Sequence, residues 1–126
     1  MTPEGVVKRR VRAVLNRFPG LYQYWPVPTG YGPAGLDCYV CFRGRLIAIE
    51  TKAAGKHPTP RQRVCIHELK EAGARTFVID GTDNTDSLES LEAHLLMIGG
   101  YDHLRGPNGH EAVPASPAPA ADSHPA

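Results

Sequence analysis

Apolar positions recur along the chain at two different spacings, and the switches between them predict its elements. Val7, Val11, Val14, Leu15 and Phe18 fall at helical intervals and give a helix one apolar face. Lys8, Arg9, Arg10, Arg12 and Arg17 cover much of the remainder. Thr2-Pro3-Glu4 supplies the start: a capping hydroxyl, a proline in the first turn, and an acid at the positive end of the helix dipole. Pro19-Gly20 supplies the stop. Leu21 to Val27 is aromatic-rich and reads as a strand closed by Pro26 and Pro28, followed by a glycine-rich loop from Thr29 to Gly35. Leu36 to Phe42 and Arg45 to Lys52 read as two further strands, joined by Arg43-Gly44 into a hairpin.

Thr59-Pro60-Arg61-Gln62 has the capping-box pattern and opens a second helix to Ala72, with Cys65, Leu69 and Ala72 on one face and Gly73 at its end. Thr76 to Asp80 is a short apolar strand. A last helix is predicted from Asp86, with Leu88, Leu91, Leu95 and Ile98 before Gly99-Gly100. The order is α, β, β, β, α, β, α. A hairpin followed by a strand–helix–strand crossover predicts an α/β fold: a mixed sheet flanked by helices.

With 126 residues the chain suits one domain, expected over residues 1–100. Residues 101–126 are rich in Pro and Ala and poor in large apolar side chains, so a disordered acidic tail is expected there. No run nears the ~18 apolar residues of a membrane span, and the N-terminus has no signal-like apolar core, so a cytoplasmic protein without a membrane partner is expected. Three cysteines do not suggest a disulfide-stapled fold. The net charge of +1 hides a polarised chain. Residues 1–79 hold 13 of the 14 basic residues against 5 acidic ones (+8), while residues 80–126 come to −7. A basic body suits a polyanion, although uneven surface charge alone is an equally good account.

The informative residues are polar ones at the end of an apolar strand. Alternation places Leu46, Ala48, Glu50 and Lys52 on one face, with Ile47, Ile49 and Thr51 on the other. A hairpin turning at Arg43-Gly44 brings Asp37 beside Glu50. Two carboxylates held close repel unless a cation joins them or one takes a proton. Hard oxygen ligands of this kind suit Mg²⁺ or Mn²⁺, and an adjacent lysine suits work on a phosphate. The plain alternative is a solvated Glu50–Lys52 pair with Asp37 as a turn residue. Glu4 shares the stripe of Val7 and Val11 and could reach the same ion, or simply favour the helix dipole. Gln62 sits one loop after Lys52, yet at capping-box spacing.

Gly35-Leu36-Asp37, Ile49-Glu50-Thr51-Lys52 and Thr59-Pro60-Arg61-Gln62, followed by a helix, Ala72-Gly73 and an apolar strand, resemble the PD-(D/E)xK nucleases. Among these the chain is most similar to the virus-type replication-repair nuclease (VRR-NUC) domain, whose stand-alone members are often phage-encoded and related to Holliday junction resolvases. The resemblance covers residues 3–80. It implies a restriction-endonuclease-like core, α-β-β-β-α-β, here with an additional C-terminal helix. It implies a metal-dependent endonuclease, a Mg²⁺ or Mn²⁺ ion on Asp37, Glu50 and the Thr51 carbonyl, Lys52 as catalytic lysine, Glu4 as the acid of the first helix, and Gln62 as a polar catalytic residue. It also implies branched or junction DNA as substrate, a homodimer, and the cytoplasm of a bacterial host if the gene is phage-borne. Two positions depart from the pattern: Leu36 replaces a proline that often precedes the aspartate, and Thr51 replaces an apolar residue between Glu and Lys.

Lys8, Arg9, Arg12, Lys56, Arg61 and Arg63 are candidates for contacts to DNA phosphates, which position a substrate without reading its sequence. The rival from another class is a non-catalytic DNA-binding module that keeps the nuclease fold. Cys38-x-x-Cys41 with Cys65 is set aside as a zinc site, because positions 38 and 41 of a strand face opposite ways and mostly buried cysteines are expected. The glycines at 30, 32 and 35 lack the phosphate-loop pattern, and His57 reads as a solvated loop histidine.

Overall fold

The computed structural model describes residues 1–27 and 35–105, the last six of these as helical backbone only. The expected loop at 29–34 and the tail from 106 onward lie outside the described residues. Helix α1 spans Pro3–Leu15, and the Thr2 hydroxyl accepts the Gly5 N–H at 3.0 Å, as its N-cap pattern predicts. Its buried face is Val7, Val11, Val14 and Leu15.

Strand β1 (Tyr22–Tyr24) pairs antiparallel with β2 (Cys38–Phe42), and β2 pairs antiparallel with β3 (Arg45–Thr51). β1 is shorter than the predicted Leu21–Val27, because Pro26 has no N–H for a ladder. β2 starts later than Leu36 because the Leu36 N–H turns to the Tyr39 hydroxyl at 2.9 Å. The hairpin turn places both Arg43 (φ 54°) and Gly44 (φ 79°) in the left-handed region, the geometry that matches strand twist in a two-residue turn.

From β3 the chain crosses through α2 (Pro60–Glu71) to β4 (Arg75–Ile79), which lies parallel to β3. The sheet order is β1-β2-β3-β4. Thr59 and Gln62 form the predicted capping box. Ala72, expected on the inner face, is instead the exposed C-cap, and α2 has no fully buried residue.

Helix α3 spans Leu88–Arg105, and two expectations for it need correction. Asp86 does not open it: Ser87 and Ser90 cap it by exchanging hydrogen bonds, each side chain accepting the other's N–H. Asp86 bridges to Ile79, and its carboxylate accepts the Val78 N–H at 2.8 Å. Nor does Gly99-Gly100 end the helix, which continues past the expected boundary at residue 100. A Cβ at Gly99 would come within 3.2 Å of the Phe42 ring, so this glycine serves helix–sheet packing.

The core lies between one sheet face and helices α1 and α3. Val7, Val11, Cys38, Val40, Phe42, Ile47, Ile49, Phe77, Ile79, Leu91 and Leu95 meet there, all buried. The other sheet face is covered in part by α2, and Tyr22, Tyr24 and Leu46 on it are exposed. No helix among the described residues is long and apolar enough to cross a membrane.

Candidate active site

The pairing of Cys38 with Ile49 brings Asp37, one residue before β2, level with Glu50. The hairpin turn alone fixes that register. Parallel pairing continues one residue beyond β3, where the Lys52 N–H donates to the Ile79 carbonyl at 3.0 Å. Glu50, Thr51 and Lys52 are thereby fixed at the edge where Asp37 arrives, and α1 brings Glu4 and Lys8 to the same place.

Asp37 Oδ2 accepts two hydrogen bonds from Thr51, from its N–H at 2.9 Å and its hydroxyl at 2.7 Å. The other carboxylate oxygen, Oδ1, faces Lys8 Nζ at 3.7 Å, and Lys8 also lies 4.0 Å from Glu4 Oε2. Glu50 is almost wholly buried, with a side chain 2% exposed, and its Oε2 pairs with Lys52 Nζ at 3.3 Å. Glu50 Oε1 is buried without any hydrogen-bond partner among the described residues. An acceptor stranded in this way normally costs ~1–3 kcal/mol, so a cation or hydrogen-bond donor from outside the chain is its natural complement.

The electrostatics agree. Burial, and then the neighbouring Asp37 carboxylate, raise the Glu50 pKa from 4.5 to about 7; Lys52 opposes the rise and Glu4 adds to it. Tyr39, between Leu36 and Glu50, also has its pKa raised, chiefly by burial. The donor set fits a hard divalent ion. Among the described residues no group of three or more His, Cys, Asp or Glu forms a cage. Mg²⁺ typically needs only one or two carboxylates, with water and substrate oxygens completing its shell.

The remaining predicted residues are placed less centrally. Gln62 is engaged in the capping box, its Oε1 accepting the Thr59 N–H at 2.9 Å. Arg12 lies over the Trp25 ring at 4.3 Å, and Arg9 approaches the Met1 sulfur at 3.4 Å. Arg63 donates to the Pro58 carbonyl at 2.8 Å, while Lys56 and Arg61 are exposed. His57 is exposed as expected. Cys38 is buried, its thiol pushed up to about 12 mainly by burial. Cys41 is exposed, contrary to expectation, because it sits on the opposite and partly open face of the sheet.

Two contributors were not evident from pattern. The Thr51 side chain holds Asp37, which accounts for a hydroxyl where the resembling family has an apolar residue. Asp80, at the end of β4, is 2% exposed and accepts from the Gly55 N–H at 3.1 Å, tying the loop after Lys52 to the sheet. Its other oxygen accepts from Thr82 N–H and hydroxyl and from Thr85 hydroxyl at 2.8, 2.6 and 3.0 Å. The signal available for it was an acid at the end of an apolar strand followed by Gly81 and Thr82.

A solved structure titled VRR_NUC domain superposes on this chain with a TM-score of 0.57 and 21% identity, covering 77% of this chain and 96% of that one. The chain has the VRR-NUC fold. This is a restriction-endonuclease-like fold, with a four-stranded mixed sheet flanked by helices. No family model matches the sequence, and no curated protein matches it.

Proposed function

We propose that this VRR-NUC-fold chain is a metal-dependent endonuclease that hydrolyses DNA phosphodiester bonds. The observation that supports it best is the stranded, buried Glu50 Oε1 level with Asp37 and beside Lys52. Asp37, Glu50 and the Thr51 carbonyl would hold Mg²⁺ or Mn²⁺, with Glu4 at the margin of the site. An ion held there would supply Lewis-acid polarisation of the phosphate and charge neutralisation.

The side chains around it have separable tasks. Thr51 fixes Asp37 through two donors, so the carboxylate does not have to be ordered when the substrate binds. Lys52 favours the ionised form of Glu50 against burial and Asp37, and offers an ammonium to the phosphate oxygens, where charge builds up in the transition state. Arg9, Arg12, Lys56, Arg61 and Arg63 are assigned to the DNA backbone, and Gln62 to the edge of the site through the helix it caps. No base-reading element is evident among the described residues, and selectivity is assigned to DNA shape, a branch or junction, in phage-type replication, recombination or repair. A homodimer would present two sites to two strands.

The test is a cleavage panel of linear, flap and four-way junction DNA with Mg²⁺, Mn²⁺ or EDTA, using the parent and Asp37→Ala, Glu50→Ala and Lys52→Ala. Cutting by the parent with either ion and its loss in all three variants is expected. Equal cutting by all four proteins refutes the site. Salt-sensitive DNA binding without any scission would identify a non-catalytic binding module instead.

A further inference from the structure

Lys8 stands apart from the other basic residues assigned to DNA, because it lies inside the carboxylate cluster. Glu4 and Lys8 are one helical turn apart on α1 and so project together. From there Lys8 reaches across the fold to Asp37 Oδ1, at 3.7 Å. The partition of Asp37 is what matters. Its Oδ2 is taken by both donors of Thr51, so Oδ1 is the oxygen left for a cation, and the ammonium beside it is that of Lys8. Both Lys8 contacts are at or near the outer limit of an ion pair, and its side chain is 38% exposed. A loose, half-solvated pair of this kind holds little energy, so Lys8 can leave Asp37 at small cost. Lys52, by contrast, is 14% exposed and sits at 3.3 Å from a buried carboxylate.

We propose that Lys8 is an exchangeable counter-ion of the site. It neutralises Asp37 and Glu4 while no divalent ion is bound, yields Asp37 Oδ1 when the ion arrives, and then pairs with a phosphate oxygen of the bound DNA. Metal binding and substrate binding are coupled through this one ammonium. The proposal rests on the metal-dependent reading of the site. Three carboxylates (Glu4, Asp37 and Glu50) face two lysines, so adding a divalent ion turns the local balance positive, and the displaced ammonium has reason to seek an anion.

The test uses the full chain. Mn²⁺ binding is measured by isothermal titration calorimetry without DNA, and duplex DNA binding by fluorescence anisotropy with and without Ca²⁺. Lys8→Met is expected to bind Mn²⁺ roughly three- to tenfold more tightly than the parent, since a competing like charge is removed. Its DNA affinity is expected to rise less on adding Ca²⁺ than that of the parent. Lys8→Arg, which keeps the charge, is expected to restore parental behaviour in both assays. Lys8→Gln gives the same reading if the methionine variant fails to fold. Parental Mn²⁺ affinity in Lys8→Met and Lys8→Gln, or an undiminished Ca²⁺ effect on DNA, overturns the role of Lys8. Asp37→Asn separates the levels. If the parent binds Mn²⁺ and Asp37→Asn does not, the site stands whatever Lys8 does; if the parent binds none, the metal reading and this proposal fall together.

Discussion

Glu50→Gln isolates the cost of holding a charge at the end of β3. Folding raises the Glu50 pKa from 4.5 to about 7, so the folded, metal-free chain binds this proton more tightly than the unfolded chain does. Its contribution to stability is therefore greatest below pH ~4.5, declines as pH rises toward about 7, and is lost above that. At ~1.4 kcal/mol per pH unit, the gap between 4.5 and about 7 corresponds to about 3 kcal/mol. Glutamine mimics the protonated acid but leaves its own NH₂ group where Oε1 now lacks a partner, which returns ~1–2 kcal/mol of the gain. A net stabilisation of about 1–2 kcal/mol is expected at pH 8, raising the melting temperature by about 5–10 °C for a domain of this size. The assay is thermal denaturation in EDTA at pH 8, 6.5 and 4.5, followed by far-UV circular dichroism. The advantage of the variant should shrink as pH falls, vanish between about pH 5 and 6, and turn into a deficit of about 1 kcal/mol at pH 4.5. Added Mn²⁺ should reverse the order, because only the parent gains binding energy in the folded state. A variant that melts at or below the parent at pH 8 without metal, or an advantage independent of pH, would refute the account of Glu50 as a strained carboxylate awaiting a cation.

Asp80 should show the opposite pH dependence. Its pKa is lowered from 3.8 to about 2, first by the Thr82 hydroxyl, so its stabilisation is present above pH ~4 and lost as pH falls toward 2. Asp80 lies under its own turn near the surface, so Asp80→Asn is expected to cost about 1–2 kcal/mol at pH 7 and almost nothing at pH 2, read from urea denaturation at the two pH values. Thr51→Val removes the 2.7 Å hydroxyl bond to Asp37 while keeping the N–H bond. It is expected to destabilise the fold by only ~1 kcal/mol and to slow DNA cleavage by about tenfold, with Thr51→Ser restoring both. Cleavage unchanged in Thr51→Val would show that Asp37 needs no such support.

Most of the frame was legible because its signals are local. Thr2-Pro3 starts α1, Arg43-Gly44 turns the hairpin, and Thr59 with Gln62 caps α2; each acts within four residues. The meeting of Asp37 and Glu50 was legible for the same reason, since a two-residue turn dictates every pair in the hairpin. Lys8 was not. Its approach to Asp37 depends on how Val7 and Val11 seat α1 against the sheet, a tertiary fact that periodicity cannot supply. Gly99 was read as a stop because a glycine pair usually marks one, whereas the Phe42 ring that requires it lies more than fifty residues earlier in the chain.

The two buried acids show most clearly where sequence runs out. Glu50 and Asp80 lie toward the C-terminal ends of adjacent parallel strands, at 1% and 2% exposure. Each follows apolar residues, and each precedes a threonine within two positions. Yet the fold moves their proton affinities in opposite directions. Asp80 is surrounded by N–H and O–H donors from Gly55, Thr82 and Thr85, so its charge is fully answered by neutral groups and its pKa falls. Glu50 is raised first by burial and then by the Asp37 carboxylate opposite, and a lysine on one oxygen with nothing on the other does not offset them. Burial opposes the charge of both; it is the largest cause of the rise at Glu50, whereas at Asp80 the donors outweigh it. A satisfied buried acid is a fastening, and Asp80 fastens the loop that follows Lys52. An unsatisfied one invites a cation from outside the chain, and that difference in donors, supplied at Asp80 largely by the turn after β4, is what favours Glu50 over Asp80 as the candidate for chemistry.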